Sequence, residues 1–584
     1  MLASPTHSSV VLERVTYAWP DGSIALSGIS GAFGEGRTGL VGRNGSGKST
    51  LLRLIAGDLI PASGRVSAPD DVAWLPQRLT LHVGASVAEL LGVAAPLRAV
   101  RAIESGDVDP AHFDAVGADW DIEARAQAAL SEAGLDPRML DRTVGSLSGG
   151  EAVLAALAGI RLRGDAVTLL DEPTNNLDRD ARARLYDLVR AWRGALIVVS
   201  HDVALLELMD DTAELYDGEL STFGGPYSQW RAWLDAEQAA AAQAERTAAA
   251  DLRRERRERI DAQMKLVHRE RTGHKAQVEK RVPGIIAGAR KRAAQVSAGK
   301  LRTETAAKEA RARAALDAAE RRVRDDGVVR IDLPDPAVPP ARRLAVLSDG
   351  EREHVIQGPE RIALVGPNGV GKSTLLERLV AGASGAGSTV SHVHNSGKTG
   401  GYGAETASNP ADLLSCEHLA GAPGAGATGA GAIGSGETAP RAELLTERVG
   451  YLPQRVDGLD EHASVLDTVR AAAPNLPPTE VRNRLARFLV RGDAVLRPVS
   501  ALSGGERFRV ALARLLLTDP PPQLLVLDEP TNNLDLDTLD QVVAALTAYR
   551  GAVLVVSHDD AFLDRLGVAA RIELGRDGSL TTVT

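Results

Sequence analysis

Two nine-residue stretches, GRNGSGKST at Gly42 to Thr50 and GPNGVGKST at Gly366 to Thr374, set glycines, a lysine and a hydroxyl at the spacing that phosphate chemistry requires. Glycines let successive backbone N–H groups close around an anion at a helix N-terminus. Each stretch follows an apolar run (TGLV, RIALV) and precedes a helix-compatible one (LLRLI, LLERL), which is the context expected of a phosphate loop. On this pattern Gly42, Asn44, Gly45, Gly47 and Thr50 form one nucleotide cradle, and Gly366, Asn368, Gly369, Gly371 and Thr374 a second. Lys48 and Lys372 would reach the β and γ phosphates, and the Ser49 and Ser373 hydroxyls would ligate Mg²⁺.

Further residues fit the same chemistry. AVTLLDE and LLVLDE each end an apolar run in an acid pair, at the strand end where a doubly wound sheet presents ligands. Asp171 and Asp528 would hold Mg²⁺ through water, Glu172 and Glu529 would polarise the attacking water, and His201 and His558 would sense the γ phosphate. Gln77 in WLPQ and Gln454 in YLPQ stand where a glutamine can touch metal and water. Trp19 could stack on adenine or simply pack against the core. LSGGE, with Ser148, Gly149, Gly150 and Glu151 in one place and Ser503, Gly504, Gly505 and Glu506 in another, offers a hydroxyl and helix-start N–H groups for a second anion contact.

All these motifs occur twice in one order, and the intervals from Asp171 to His201 and from Asp528 to His558 are both 30 positions. That is a duplicated domain. The expected fold is therefore α/β, with two phosphate-loop domains at 1–232 and 328–584 and a charged helical, coiled-coil-like linker at 233–327. The copies differ after the phosphate loop: Lys48 to Gln77 spans 29 positions and Lys372 to Gln454 spans 82. The surplus lies at about 383–446, a Gly/Ala/Ser-rich stretch too poor in large apolar residues to bury itself and expected to be a flexible surface loop. In the linker, two helices should break near Val282-Pro283-Gly284. From Lys265 to Arg302 it carries 11 Lys or Arg against Glu270 and Glu279, a local charge of +9 in a chain whose formal net charge is −10.

That acidic balance argues against a uniformly basic nucleic-acid binder. Cys416 is the sole cysteine, so no internal disulfide forms and a reducing cytoplasm suits the chain. The N-terminal run MLASPTHSSVVLERV has no export pattern, and no run of about eighteen apolar residues suggests a membrane span.

The ordered phosphate loop, glutamine, LSGGE, acid pair and histidine resemble the ATP-binding-cassette superfamily over nearly all of both halves. EPTNNLD after the acid pair and the charged helical linker narrow the resemblance to the ABC-F family of ribosome-associated ATPases, which includes translation factors and ribosome-protecting resistance proteins. The resemblance implies two ATPs sandwiched head to tail within one monomer, one between Lys48 and Ser503 and one between Lys372 and Ser148. It also implies binding at the ribosomal tRNA exit site, with the linker reaching toward peptidyl tRNA and the large subunit. Arg281, Arg290, Lys291, Arg292, Lys300 and Arg302 are then the expected contacts to rRNA and tRNA, since such surfaces are bound mainly through Lys and Arg.

Two departures fall on the second composite site. LSGGEAVLAALAGIR lacks basic residues matching Arg507 and Arg509 of LSGGERFRVALAR, and no aromatic in the second half corresponds to Trp19. Looser ATP binding or a different turnover rate is expected there. Ribosomal protection from an antibiotic is the leading reading, and general translation control is the alternative. The ATPase subunit of a membrane transporter and a DNA-repair ATPase are other classes; the first needs no long basic linker, and the second commonly carries zinc-binding cysteines.

Overall fold

The computed structural model describes residues 8–77, 84–175, 177–278, 284–324, 333–382, 391–392, 440–456, 458–488, 490–532 and 534–583. Runs such as ALIVV at Ala195–Val199 and AVLVV at Ala552–Val556 are apolar and largely β-branched, with all five residues of each buried. Such runs suit parallel strands covered on both faces. In the first domain the sheet order is Val72–Leu75, Val167–Asp171, Ala195–Val199, Arg37–Val41, Asp211–Tyr216 and Glu219–Gly224, all parallel except the last. The second domain repeats it as Val449–Leu452, Leu524–Asp528, Ala552–Val556, Arg361–Val365, Ala570–Leu574 and Leu580–Val583, with Ser391–His392 added at the edge.

A three-stranded antiparallel sheet lies beside each main sheet: Ile24–Gly34, Ser8–Ala18 and Ser63–Ser67 in the first domain, and Glu353–Gln357, Arg343–Ser348 and Arg441–Leu444 in the second. The stretch at 383–446 thus ends in an ordered strand, because Arg441–Leu444 pairs with Arg343–Ser348 as Ser63–Ser67 pairs with Ser8–Ala18. Most of that stretch lies outside the described residues. Each main sheet has an apolar layer on either side. In the first domain one layer includes Val10, Phe33, Leu51 and Val199, and the other Leu154, Leu157, Leu185 and Val198.

Two long helices, Tyr227–Val278 and Gly284–Glu320, join the domains. They run antiparallel: the Gln238 side chain accepts from Arg324 N–H at 2.8 Å and donates to Arg322 O at 3.4 Å, while Arg256 and Arg259 reach Glu309 at 3.3 and 2.9 Å. Of the expected break at Val282-Pro283-Gly284, the first two residues lie outside the described residues, and the second helix begins at Gly284. The first helix begins at Tyr227, ahead of the linker start expected at 233, because Tyr227, Trp230 and Leu234 are buried with Val41 and Leu206 of the first domain and Leu536 of the second.

Candidate functional site

Each phosphate loop begins where a central strand ends. Gly42 has φ 147°, and a methyl group there would lie 2.5 Å from Leu215 O; Gly366, at φ 143°, would meet Leu574 O at the same distance. Only glycine fits. Gly47 and Gly371 then precede the helices Lys48–Ile55 and Lys372–Ala381 without any side-chain cap, which leaves the first helical N–H groups for an anion. Lys48 Nζ donates to Gly42 O and Arg43 O at 2.5 and 3.0 Å, and Lys372 Nζ to Gly366 O and Pro367 O at 2.7 and 2.9 Å. Each ammonium is thus folded over its own loop. Burial pulls both lysine pKa values down, against the pull of Glu172 on Lys48 and of Glu529 on Lys372.

Opposite these loops stand the acid pairs. Glu172 and Glu529 have φ of 51° and 45°, a conformation costly for a side-chain-bearing residue. Neighbouring strands impose it: Glu172 N–H donates to Val199 O at 2.8 Å and Glu529 N–H to Val556 O at 2.9 Å. His201 Nε2 lies 3.0 Å from Glu172 Oε1 and His558 Nε2 3.3 Å from Glu529 Oε1, close but outside hydrogen-bond geometry. Asp171 Oδ1, Glu172 Oε1, His201 Nδ1, Asp528 Oδ1 and Glu529 Oε1 are buried without hydrogen-bond partners. Orphaned polar atoms of this kind are costly and concentrate where a ligand will supply the partner. Burial pushes the Glu529 carboxyl up to about 7 against the opposing pull of Lys372, and pulls the His558 imidazole down to about 4. Glu172 is raised and His201 lowered for the same first cause, burial.

The expected residues assemble around two cavities of about 360 and 350 Å³, within the roughly 300–1,000 Å³ range of small-molecule sites. Trp19, Asn44, Gly45, Gly47, Lys48, Ser49, Thr50, Gln77, Asp171, Glu172 and His201 line the first. Asn368, Gly369, Gly371, Lys372, Ser373, Thr374, Gln454, Asp528, Glu529 and His558 line the second. Trp19 meets Tyr17 edge-on at 5.2 Å and lines the first cavity; among the described residues no aromatic lines the second. Burial raises the Asp171 and Asp528 carboxyl pKa values, the neighbouring Ser49 and Ser373 hydroxyls pull them back, and Oδ1 of each acid is buried without a hydrogen-bond partner. No group of three or more His, Cys, Asp or Glu that could hold a metal occurs among the described residues. A lone carboxylate beside a hydroxyl nevertheless suits Mg²⁺, which keeps several waters and shares its shell with phosphates.

The LSGGE serines and glutamates line neither cavity. Each caps its own helix: Ser148 and Ser503 accept from Glu151 N–H and Glu506 N–H at 3.2 and 3.4 Å, and the glutamates accept the serine N–H in return. The second-domain motif does face the first phosphate loop, since a methyl at Gly505 would stand 3.6 Å from Asn44 Nδ2. Asn44 N–H also donates to Asp535 Oδ2 across the domains at 2.8 Å. Leu177 and Arg182 of the first domain reach the second cavity. Asp535 closes the second EPTNNLD run, but motif spacing gave no sign of its contact across the domains; Arg182 belongs to no motif, and its signal was a mismatch with Leu539 at the equivalent repeat position. On the linker, Lys300 and Arg302 are exposed, whereas the Arg281, Arg290, Lys291 and Arg292 side chains lie outside the described residues.

No helix among the described residues is long and apolar enough to cross a membrane. The ABC transporter family model matches residues 26–175 and 417–532. The chain is 31% identical to the tylosin resistance ATP-binding protein TlrC of Streptomyces fradiae over 99% of each chain. It is 29% identical to the ATP-binding protein Uup of Escherichia coli over 90% of this chain and 74% of that protein. With ATP-binding cassette sub-family F member 3 of Mus musculus it shares 27% identity, covering 96% and 70% respectively.

Proposed function

Because the chain belongs to the ABC-F family of tandem ATP-binding-cassette ATPases, we propose that it is a cytoplasmic, monomeric enzyme that closes on ATP to engage the ribosome and leaves on hydrolysis. The observation that carries this reading is the linker: two antiparallel helices whose residues 265–302 hold a charge of +9 in an otherwise acidic chain. Phosphate surfaces of rRNA and tRNA are the partners such a segment fits. Kinship with a tylosin resistance protein over 99% of each chain favours protection of the large subunit from an antibiotic over general translation control.

At each site the chain's own groups divide the work. Loop N–H groups and Lys48 or Lys372 hold the phosphates, moving off the loop carbonyls that they bond here. Ser49, Gln77 and Asp171, and likewise Ser373, Gln454 and Asp528, which line the two cavities, would hold Mg²⁺, and the bound metal would neutralise phosphate charge. Glu172 and Glu529 accept a proton from the attacking water through their orphaned Oε1 atoms, and His201 and His558 orient toward the terminal phosphate.

Ribosome cosedimentation of the Glu172→Gln, Glu529→Gln double variant with ATP tests this. ATP-dependent pelleting that weakens when Arg290, Lys291 and Arg292 are neutralised is expected; no pelleting while ATP still binds would overturn the ribosome reading. Expression in a tylosin-sensitive strain then separates the finer readings, because unchanged drug sensitivity together with ribosome binding favours a translation factor.

A further inference from the structure

The two sites differ in where their cross-domain arginine comes from. In the second domain Arg509, on the helix Gly504–Leu516, is mostly buried and lies within electrostatic reach of Asp535, Glu506 and Arg43 of the first phosphate loop. The equivalent position of the first domain is Leu154, which is fully buried. On the helix after the acid motif the pattern is reversed: the first domain carries Arg182 where the second carries the buried Leu539. Each half therefore has one arginine and one leucine at this pair of positions, exchanged between helices.

Arg182 reaches across the domain boundary. Its Nη1 donates to His558 O at 3.3 Å, its side chain is only 12% exposed, and it lines the cavity with Lys372, Glu529 and His558. The nearest carboxylate oxygen paired with it, Asp202 Oδ2, is 3.9 Å away and already accepts from Tyr186 Oη. Arg182 Nε is buried and has no hydrogen-bond partner. A guanidinium so desolvated is short of an anionic acceptor. Its planar fork matches a phosphate.

From this geometry we infer that Arg182 is the second site's phosphate-binding arginine, supplied in trans by the first domain in place of the arginine missing from its LSGGE helix. The inference rests on the reading of the second cavity as an ATP site. It offsets the looser binding expected there from the LSGGEAVL motif alone.

Calorimetric titration of the full chain with Mg-ATP tests it in two backgrounds. Lys48→Ala leaves the second site to report binding, and Lys372→Ala leaves the first. Arg182→Leu, which installs the residue that the second domain tolerates at this helix position, is expected to weaken ATP binding about tenfold in the Lys48→Ala background, the scale of one lost charge-assisted bond. In the Lys372→Ala background the change should stay below about twofold, and in the Lys48→Ala background Arg182→Lys, which keeps the charge and loses the fork, should fall between Arg182→Leu and the parent. If Arg182→Leu proves poorly folded by thermal melting, Arg182→Gln takes its place with the same expectation. Equal weakening in both backgrounds would reduce Arg182 to a domain-docking residue, and no change in either would remove it from the phosphates. Failure of the Lys48→Ala parent to bind any ATP would instead overturn the reading of the second cavity.

Discussion

At the scale of single residues the two glutamates stand out, each strained, buried and short of one hydrogen bond. Burial favours the neutral form of Glu529, so its pKa of about 7 lies above the ordinary 4.5. Between those pH values the folded chain holds a proton that the unfolded chain has released. The stability this contributes is therefore full below pH 4.5 and lost as pH rises through about 7, by at most about 3 kcal/mol. Glu529→Gln, which cannot ionise, should raise the melting temperature at pH 8 by several degrees and by much less at pH 5, read by scanning fluorimetry of the nucleotide-free protein. The same carboxyl must be ionised to accept a proton. Hence kcat/KM for ATP should fall about tenfold per pH unit below about pH 7, where a glutamate of ordinary acidity would hold it flat to about pH 5.

At the scale of elements, the strand-to-helix turns are the least forgiving features. Gly42→Ala places a methyl 2.5 Å from Leu215 O in a backbone conformation that alanine avoids, so it should abolish ATP binding at the first site and lower the melting temperature. Ser503→Ala removes a helix cap worth about 1 kcal/mol, and thermal melts should register that loss before any catalytic effect is assigned. Much of this level was legible beforehand. Phosphate chemistry demands particular residue types at rigid spacing, and the duplication displayed them twice. The strand Arg441–Leu444 was not legible, because four residues after a long Gly/Ala-rich stretch carry no periodicity; their partner Arg343–Ser348 lies far back in the chain. Asp535 and Arg182 escaped for a related reason. Local spacing records what a segment can form and is silent on which surfaces meet.

At the scale of the whole molecule, both roots of the linker are fastened beside the first phosphate loop. Arg324, just past the second linker helix, makes two bonds to Glu214 at 2.6 and 2.8 Å and lies 4.1 Å over the Tyr216 ring, with Arg43 of the loop 5.7 Å from the same ring. Arg231, on the first linker helix, pairs with Asp537 and Asp540 of the second domain at 3.8 and 3.5 Å. Removing one partner of a mostly buried ion pair costs about 3–5 kcal/mol. Arg324→Ala should accordingly speed amide hydrogen exchange at the linker base far more than in the central strands of either sheet, a contrast that mass spectrometry can read. The first linker helix has 52 residues and so extends about 78 Å from this anchorage. A pivot of about 5° at its root sweeps the far end through about 7 Å, more than one helical turn. Adjustments of a few tenths of an ångström among Arg43, Tyr216 and Arg324 are thereby geared into displacements on the scale of a nucleotide, with the first domain as the fulcrum.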